Sequence, residues 1–98
     1  MRYELFIKEY LPTIRAMIAK KLISFGLTQQ EIASKLYLTQ PAIVFYKKNL
    51  RGKKTEDLEK NIKVIRKVEE IARNIMTKNL KEDELEKKYL EIFNLIFQ

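Results

Sequence analysis

The chain contains neither cysteine nor histidine among its 98 residues. Without cysteine there is no disulfide framework and no thiolate metal site. Without histidine, general-base catalysis and metal binding lose their most common side chain. Serine occurs only at Ser24 and Ser34, and no glycine-rich phosphate loop is present, so no nucleophile–base pair can be assembled. We therefore expect a protein that is not an enzyme and that needs no metal and no cofactor.

Glycine and proline are also scarce, with two of each. A chain dominated instead by Leu, Ile, Lys and Glu favours helices over sheets or disorder. No stretch approaches the roughly 18 consecutive apolar residues of a membrane span. The first residues lack the apolar core of a signal peptide. These absences predict an all-α, soluble, cytoplasmic protein with no membrane partner.

The net charge of +7 is distributed unevenly. Residues 1–54 hold eleven Lys or Arg against three acids, whereas residues 55–98 hold nine against ten. A solvated lysine-rich surface is one interpretation, but such surfaces normally mix both signs, so the one-sided charge favours a polyanionic partner. Five basic residues lie close together where no acid occurs, and these are Lys47, Lys48, Arg51, Lys53 and Lys54.

Apolar spacing and capping residues predict the helices. The first long helix should cover residues 11–25 and end at Gly26, which accepts a left-handed conformation. Residues 3–10 should add another helical turn or two, offset or kinked at Pro12 because proline lacks an amide N–H.

Two short helices are predicted in the middle of the chain. Thr28 and Glu31 form a capping box, which starts a helix over residues 29–36. Thr39 is a second N-cap residue and starts a helix over residues 40–48. A basic loop should follow, with Asn49 as the left-handed cap. Thr55 then caps a fourth helix that extends to about residue 78, and a last helix covers about residues 82–97.

The two short helices match the spacing of a helix-turn-helix, a motif that many DNA-binding proteins use. Ala33 is small where the helices would cross. Short helix pairs also occur in purely structural bundles, and the one-sided charge is what favours DNA binding here. Apolar side chains occupy the positions that must turn inward, namely Ile32, Leu36, Leu38, Ile43 and Tyr46.

Several segments also resemble a known family. They are LPTIRA at 11–16, GLTQQEIA at 26–33, LTQPAI at 38–43, Tyr46, and RGKK at 51–54. In these segments the chain resembles archaeal regulators of the Cro and lambda-repressor-like (XRE) class, in particular the helix-turn-helix domain that precedes some archaeal thiamine-phosphate synthase domains. The resemblance implies a lambda-repressor-like DNA-binding domain over residues 1–54, with two additional C-terminal helices in a dimerisation region over residues 55–98. The remaining sequence does not resemble the synthase, so a role in thiamine regulation is not implied.

Three features depart from the family pattern. Tyr37 stands in the turn where glycine is usual, which implies either a left-handed residue or a different turn. Asn49 replaces another glycine. Val44 and Phe45 occupy positions where the family offers polar side chains to the bases.

The second helix of the pair is expected to enter the major groove of double-stranded DNA. Gln40, in its first turn, is the best candidate for a base contact because glutamine pairs bidentately with adenine; the alternative is a solvated surface amide. Val44 or Phe45 would pack on thymine methyls, unless Phe45 is buried against protein. The predicted base contacts are Gln40, Pro41, Val44 and Phe45. The predicted phosphate contacts are Gln29, by resemblance to phage repressors, and Lys47, Lys48, Arg51, Lys53 and Lys54.

One helix-turn-helix covers a single half-site, so we expect a homodimer formed by the C-terminal region. The alternative is that the C-terminal aromatics complete the core of one chain. The competing function is a protein-interaction module, such as an antitoxin or adaptor, that keeps the fold with little base readout. The predicted dimer-interface residues are Ile75, Tyr89, Ile92, Phe93, Ile96 and Phe97.

Overall fold

Helices account for most of the structure, a computed structural model that describes residues 2–48 and 53–97 apart from the side chain of Lys53. These residues include no β-strand, and the all-α prediction is confirmed for the described part of the chain. Its helices are all too short or too polar to cross a membrane. The elements are α1 (Arg2–Leu5), a π-helical segment (Phe6–Tyr10), α2 (Leu11–Ser24), α3 (Gln29–Lys35), α4 (Gln40–Lys48), α5 (Lys53–Glu59), α6 (Ile62–Thr77) and α7 (Glu82–Ile96).

The irregularity expected near Pro12 is the π-helical segment. Helical backbone angles continue across it, and the Leu11 N–H donates to the Phe6 carbonyl, five residues earlier. In a regular α-helix the ring of Pro12 would clash with the carbonyl of Lys8 and leave it without its N–H partner. The wider π turn makes room for the proline ring and does not need its missing N–H, so the helix continues through Pro12 instead of breaking.

The predicted starts of α3 and α4 are confirmed. The Glu31 N–H donates to Thr28 Oγ1 at 3.1 Å, and the Thr28 N–H donates to Glu31 Oε1 at 2.9 Å, which completes the capping box. The Ala42 N–H donates to Thr39 Oγ1 at 3.3 Å. Gly26 has a φ of 97°, the left-handed conformation predicted for it.

The prediction of one helix from Thr55 to about residue 78 is wrong, because α5 and α6 are separate. Asn61 has extended backbone angles, and its side chain accepts the Val64 N–H at 3.2 Å, which caps α6. Thr55 lies inside α5 and is only 5% exposed, so it is not an N-cap. Lys53 and Lys54, expected in the basic loop, instead lie in the first turn of α5. The rest of that predicted loop, and the cap predicted at Asn49, lie outside the described residues.

A single hydrophobic cluster includes residues from both halves of the chain. α2 lies at its centre and contacts α3, α4 and α6, while α7 packs on α6. The largest fully buried side chains of α2 are Ile14, Ile18 and Leu22. The C-terminal helices therefore share one core with the helix pair α3–α4.

Most of the residues predicted to contact a second chain lie in the core of their own. Phe93 is covered by the N-terminal helix, with its ring centroid 4.4 Å from that of Tyr3 and 5.4 Å from that of Phe6. Ile96 and Phe97 are partly buried beside the core. The residues at most 7% exposed are Ile75, Tyr89, Ile92 and Phe93. These four side chains are not accessible to a partner in this structure, and the homodimer stays a prediction.

Candidate nucleic-acid interface

α3 and α4 pack against each other and against α2, and residues 36–39 join them. The inward orientation predicted for the apolar residues of α3, α4 and the turn between them is confirmed. Some of these side chains are buried and the others are half-buried. Leu38 and Tyr46 are the half-buried ones. The fully buried ones are Ile32, Ala33, Leu36 and Ile43. This packing holds α4 by one face and leaves its other face outside the core.

The turn between the two helices has the geometry of a Schellman motif. Tyr37 has a φ of 58°, which is the left-handed conformation. The Leu38 N–H donates to the Ala33 carbonyl at 2.9 Å, and the Tyr37 N–H donates to the Ser34 carbonyl at 3.3 Å, as this motif requires. The left-handed alternative predicted for Tyr37 is therefore confirmed, although the residue that adopts it is tyrosine instead of glycine.

The outward face of α4 carries the predicted base contacts and two of the predicted phosphate contacts. Val44 is half-exposed and Phe45 is 59% exposed, whereas Ile43 between them and α3 is buried. Residues three and four apart share one face of a helix, which is why these positions form a continuous stripe. The exposed members of the stripe are Gln40, Pro41, Phe45, Lys47 and Lys48. We call these five residues together with Val44 the α4 stripe.

The α4 stripe contains no acidic residue, and its two lysines lie in the last turn of the helix. Cations at this end complement the negative end of the helix dipole. Gln29, the first residue of α3, is half-exposed. The face is therefore polar at the start of α4, apolar in its middle and positive at its end.

Lys54 differs from the lysines of the α4 stripe because it contacts the N-terminal helix. Its Nζ donates to the Tyr10 hydroxyl at 3.2 Å and lies 3.7 Å from a carboxylate oxygen of Glu9. The hydrogen bond with Tyr10 is the main reason that the pKa of Lys54 is raised above its ordinary value, with a smaller contribution from Glu9. The predictions for Arg51 and for the side chain of Lys53 lie outside the described residues.

A cluster of polar groups beside the core was not predicted from the sequence. The Arg15 guanidinium carbon lies 5.6 Å from the centroid of the Tyr89 ring, in a cation–π arrangement. Burial raises the pKa of the Tyr89 hydroxyl, and the positive charge of Arg15 opposes that effect. Arg15 Nε and the Tyr89 hydroxyl are both buried with no hydrogen-bond partner among the described residues. No local pattern around Arg15 in the sequence indicates its contact with α7.

In the described ranges, no group of acidic side chains is placed to hold a metal ion. The chemistry that the site offers is thus one of hydrogen bonds, apolar contacts and positive charge on an exposed helix. No protein-family model matches the chain, and no curated protein or solved structure shows significant similarity to it.

Proposed function

We propose that this chain is a sequence-specific transcriptional regulator that binds double-stranded DNA through α4, as a lambda-repressor-like helix-turn-helix protein. The observation that supports the proposal most directly is the α4 stripe, which is exposed and free of acids while the opposite face of the helix is buried. A helix held in this way can insert its exposed face into a groove without unfolding any part of the core.

The dimensions and chemistry of α4 suit the major groove. An α-helix with its side chains is about 10–12 Å in diameter, and the major groove is about 12 Å wide. In the proposed complex the start of α4 points at the bases, so the Gln40 amide pairs with adenine. Pro41, Val44 and Phe45 make apolar contacts, of which the contact with thymine methyls favours an A·T-rich site.

Contacts to the backbone would hold α4 in the groove. Lys47 and Lys48 are exposed at the end of the helix, and Gln29 is half-exposed at the start of α3. In the proposal these side chains bind phosphates, which positions the protein without reading sequence. Lys54 would contribute less, because its ammonium already bonds Tyr10 and faces Glu9.

We propose further that the regulator acts as a homodimer, because one α4 covers only one half-site and two recognition helices meet successive major grooves about 34 Å apart. Of the predicted interface residues, Ile96 and Phe97 retain partial exposure at the end of α7. Multi-angle light scattering of the chain with and without a duplex of two half-sites tests this. Two chains per duplex are expected, and a single chain per two-site duplex would reject the homodimer.

A second candidate is a protein-interaction module with little base readout. Phe45 favours it, because a large aromatic side chain that is 59% exposed is typical of the anchor of a protein interface. The two functions differ in their response to salt. A DNA-binding protein is retained on nonspecific duplex DNA and is released as salt rises, since phosphate contacts release counterions. Salt-independent or absent retention would favour the interaction module.

The main experiment is selection of bound fragments from random duplex DNA. We expect enrichment of an A·T-rich motif, repeated with two-fold symmetry if the dimer is correct. The matched control is the chain with Gln40→Ala and Phe45→Ala, which keeps the buried face of α4. Enrichment of the same motif by both proteins would show that α4 does not read the bases.

A further inference from the structure

The turn that leads into α4 is attached to a distant part of the chain, the loop between α6 and α7. The Tyr37 hydroxyl donates a hydrogen bond to the backbone carbonyl of Leu80, 43 residues later. Beside it, Lys35 Nζ donates to Asn79 Oδ1 at 3.0 Å. The last residue of α3, Lys35, and the turn residue Tyr37 are thus both bonded to the short loop between α6 and α7.

Tyrosine is a costly choice for this position if only the turn matters. A left-handed φ brings Cβ of a non-glycine residue close to its own backbone, whereas glycine has no such penalty. The Schellman hydrogen bonds of the turn involve backbone atoms alone, so glycine would make them equally well. The hydroxyl of Tyr37 therefore supplies something that the turn itself does not need, which is the bond to Leu80.

The loop that receives this bond is held firmly. Leu80 is only 8% exposed and belongs to the hydrophobic core. The Lys81 N–H donates to Glu84 Oε1 at 2.9 Å, which caps α7 immediately after the loop. Lys67 of α6 also bonds Glu91 of α7 at 2.8 Å. A bond to this loop consequently connects the turn to a segment that is anchored in the core at Leu80.

We propose that Tyr37 is a positioning residue that fixes the direction in which α4 leaves the turn, by fastening the turn to the α6–α7 loop. On this proposal the C-terminal helices do more than complete the core, because they set the angle of the α4 stripe. Its consequence for DNA recognition rests on the proposed function. Its consequence for the geometry of α4 does not, and the two are measured separately.

The geometry is tested by electron–electron distance measurements between spin labels. The chain has no cysteine, so Lys47→Cys and Lys87→Cys provide one label on α4 and one on α7. We expect a narrow distance distribution with Tyr37 in place and a broader or shifted one in the same protein carrying Tyr37→Phe. Tyr3→Phe is the control, because it removes the hydroxyl of a 54% exposed tyrosine that packs through its ring. An unchanged distribution with Tyr37→Phe would overturn the proposal.

DNA binding supplies the second measurement, on chains without labels. We expect Tyr37→Phe to weaken binding to the selected site about fivefold, while nonspecific binding changes less than about twofold. The loss of one hydrogen bond changes an equilibrium by about this factor, here the equilibrium between the orientation of α4 that fits the site and other orientations. A residue with only a structural role would lower the melting temperature and leave that ratio unchanged. Such a result, at a temperature where both proteins are folded, would also overturn the proposal.

A second variant separates positioning from stability. Tyr37→Gly removes the bond to Leu80 but relieves the left-handed backbone, so the chain should stay folded while the label distances broaden as in Tyr37→Phe. A narrow distribution in Tyr37→Gly contradicts the proposal. If the unsubstituted protein binds no DNA while its labels respond to Tyr37→Phe, the proposed function fails and the positioning role stands.

Discussion

The Lys54 ammonium lies 4.5 Å from the centroid of the Tyr10 ring and donates a 3.2 Å hydrogen bond to the hydroxyl of the same side chain. This contact ties the start of α5 to the N-terminal helix. The lysines at the end of α4 lie exposed instead. Lys54 therefore supports the fold, whereas Lys47 and Lys48 are accessible to a partner.

This division predicts different salt dependences of DNA binding. Lys47→Ala with Lys48→Ala should weaken binding to all sequences and reduce the slope of log affinity against log salt by up to about 0.9 per lost phosphate contact. Lys54→Ala should reduce the slope less. The slope is measured by fluorescence anisotropy on a nonspecific duplex, with the exposed Lys87→Ala as control. A slope unaffected by the double substitution would remove α4 from the DNA interface.

Gln40→Ala should relax discrimination at one base pair of the selected site. The expected loss is about 1 to 3 kcal/mol on that site, with nonspecific binding nearly unchanged, because a bidentate base contact is lost and no phosphate contact is. Competition binding with single-base variants of the site provides the measurement. Gln30→Ala is the control, since Gln30 is an exposed glutamine on α3. An equal loss on specific and nonspecific DNA would mean that Gln40 does not contact a base.

Ile43→Ala should destabilise the fold by about 2 to 5 kcal/mol, because it removes most of a fully buried side chain and leaves a cavity in its place. Ile62 is 63% exposed, so Ile62→Ala, the same change of side chain, should have little effect. Urea unfolding followed by circular dichroism measures both. Similar midpoints for the two variants would contradict the packing of α4 on the core.

The capping box predicts a pH-dependent contribution to stability. The pKa of Glu31 is lowered from its ordinary value of 4.5, chiefly because the Thr28 backbone N–H donates to its carboxylate and also because of the Thr28 side chain. A lowered folded pKa means that this stabilisation is present above about pH 4.5 and is lost as the pH falls through the folded value. Urea midpoints should thus converge at low pH for the native chain and Glu31→Gln. A difference between them that is the same at pH 7 and pH 3 would contradict the assignment.

The starts of α3 and α4 and the all-helical class could be predicted because the interactions responsible are local. Thr28 bonds Glu31, and Thr39 bonds Ala42, within one turn of chain, so residue order alone specifies both caps. The alternation of buried and exposed positions along α4 follows from its period in the same way. A local signal alone does not decide every helix start. Thr55 has the side chain of an N-cap residue but lies buried within α5, and the next helix is capped by Asn61, which was not predicted.

Contacts between distant segments were decided only by the tertiary structure. Nothing in the sequence near Phe93 indicates that Tyr3 and Phe6 cover it. The apolar face of α7 was therefore predicted to contact a second chain, although it is buried within one chain. The bond from Tyr37 to Leu80 likewise depends on how α6 and α7 return to the helix pair. Composition, caps and periodicity determined the helical class, the starts of α3 and α4, and which helix faces are apolar. The pairing of these apolar faces depends on how all the helices bury their side chains together. Only the tertiary structure shows which faces pack against each other.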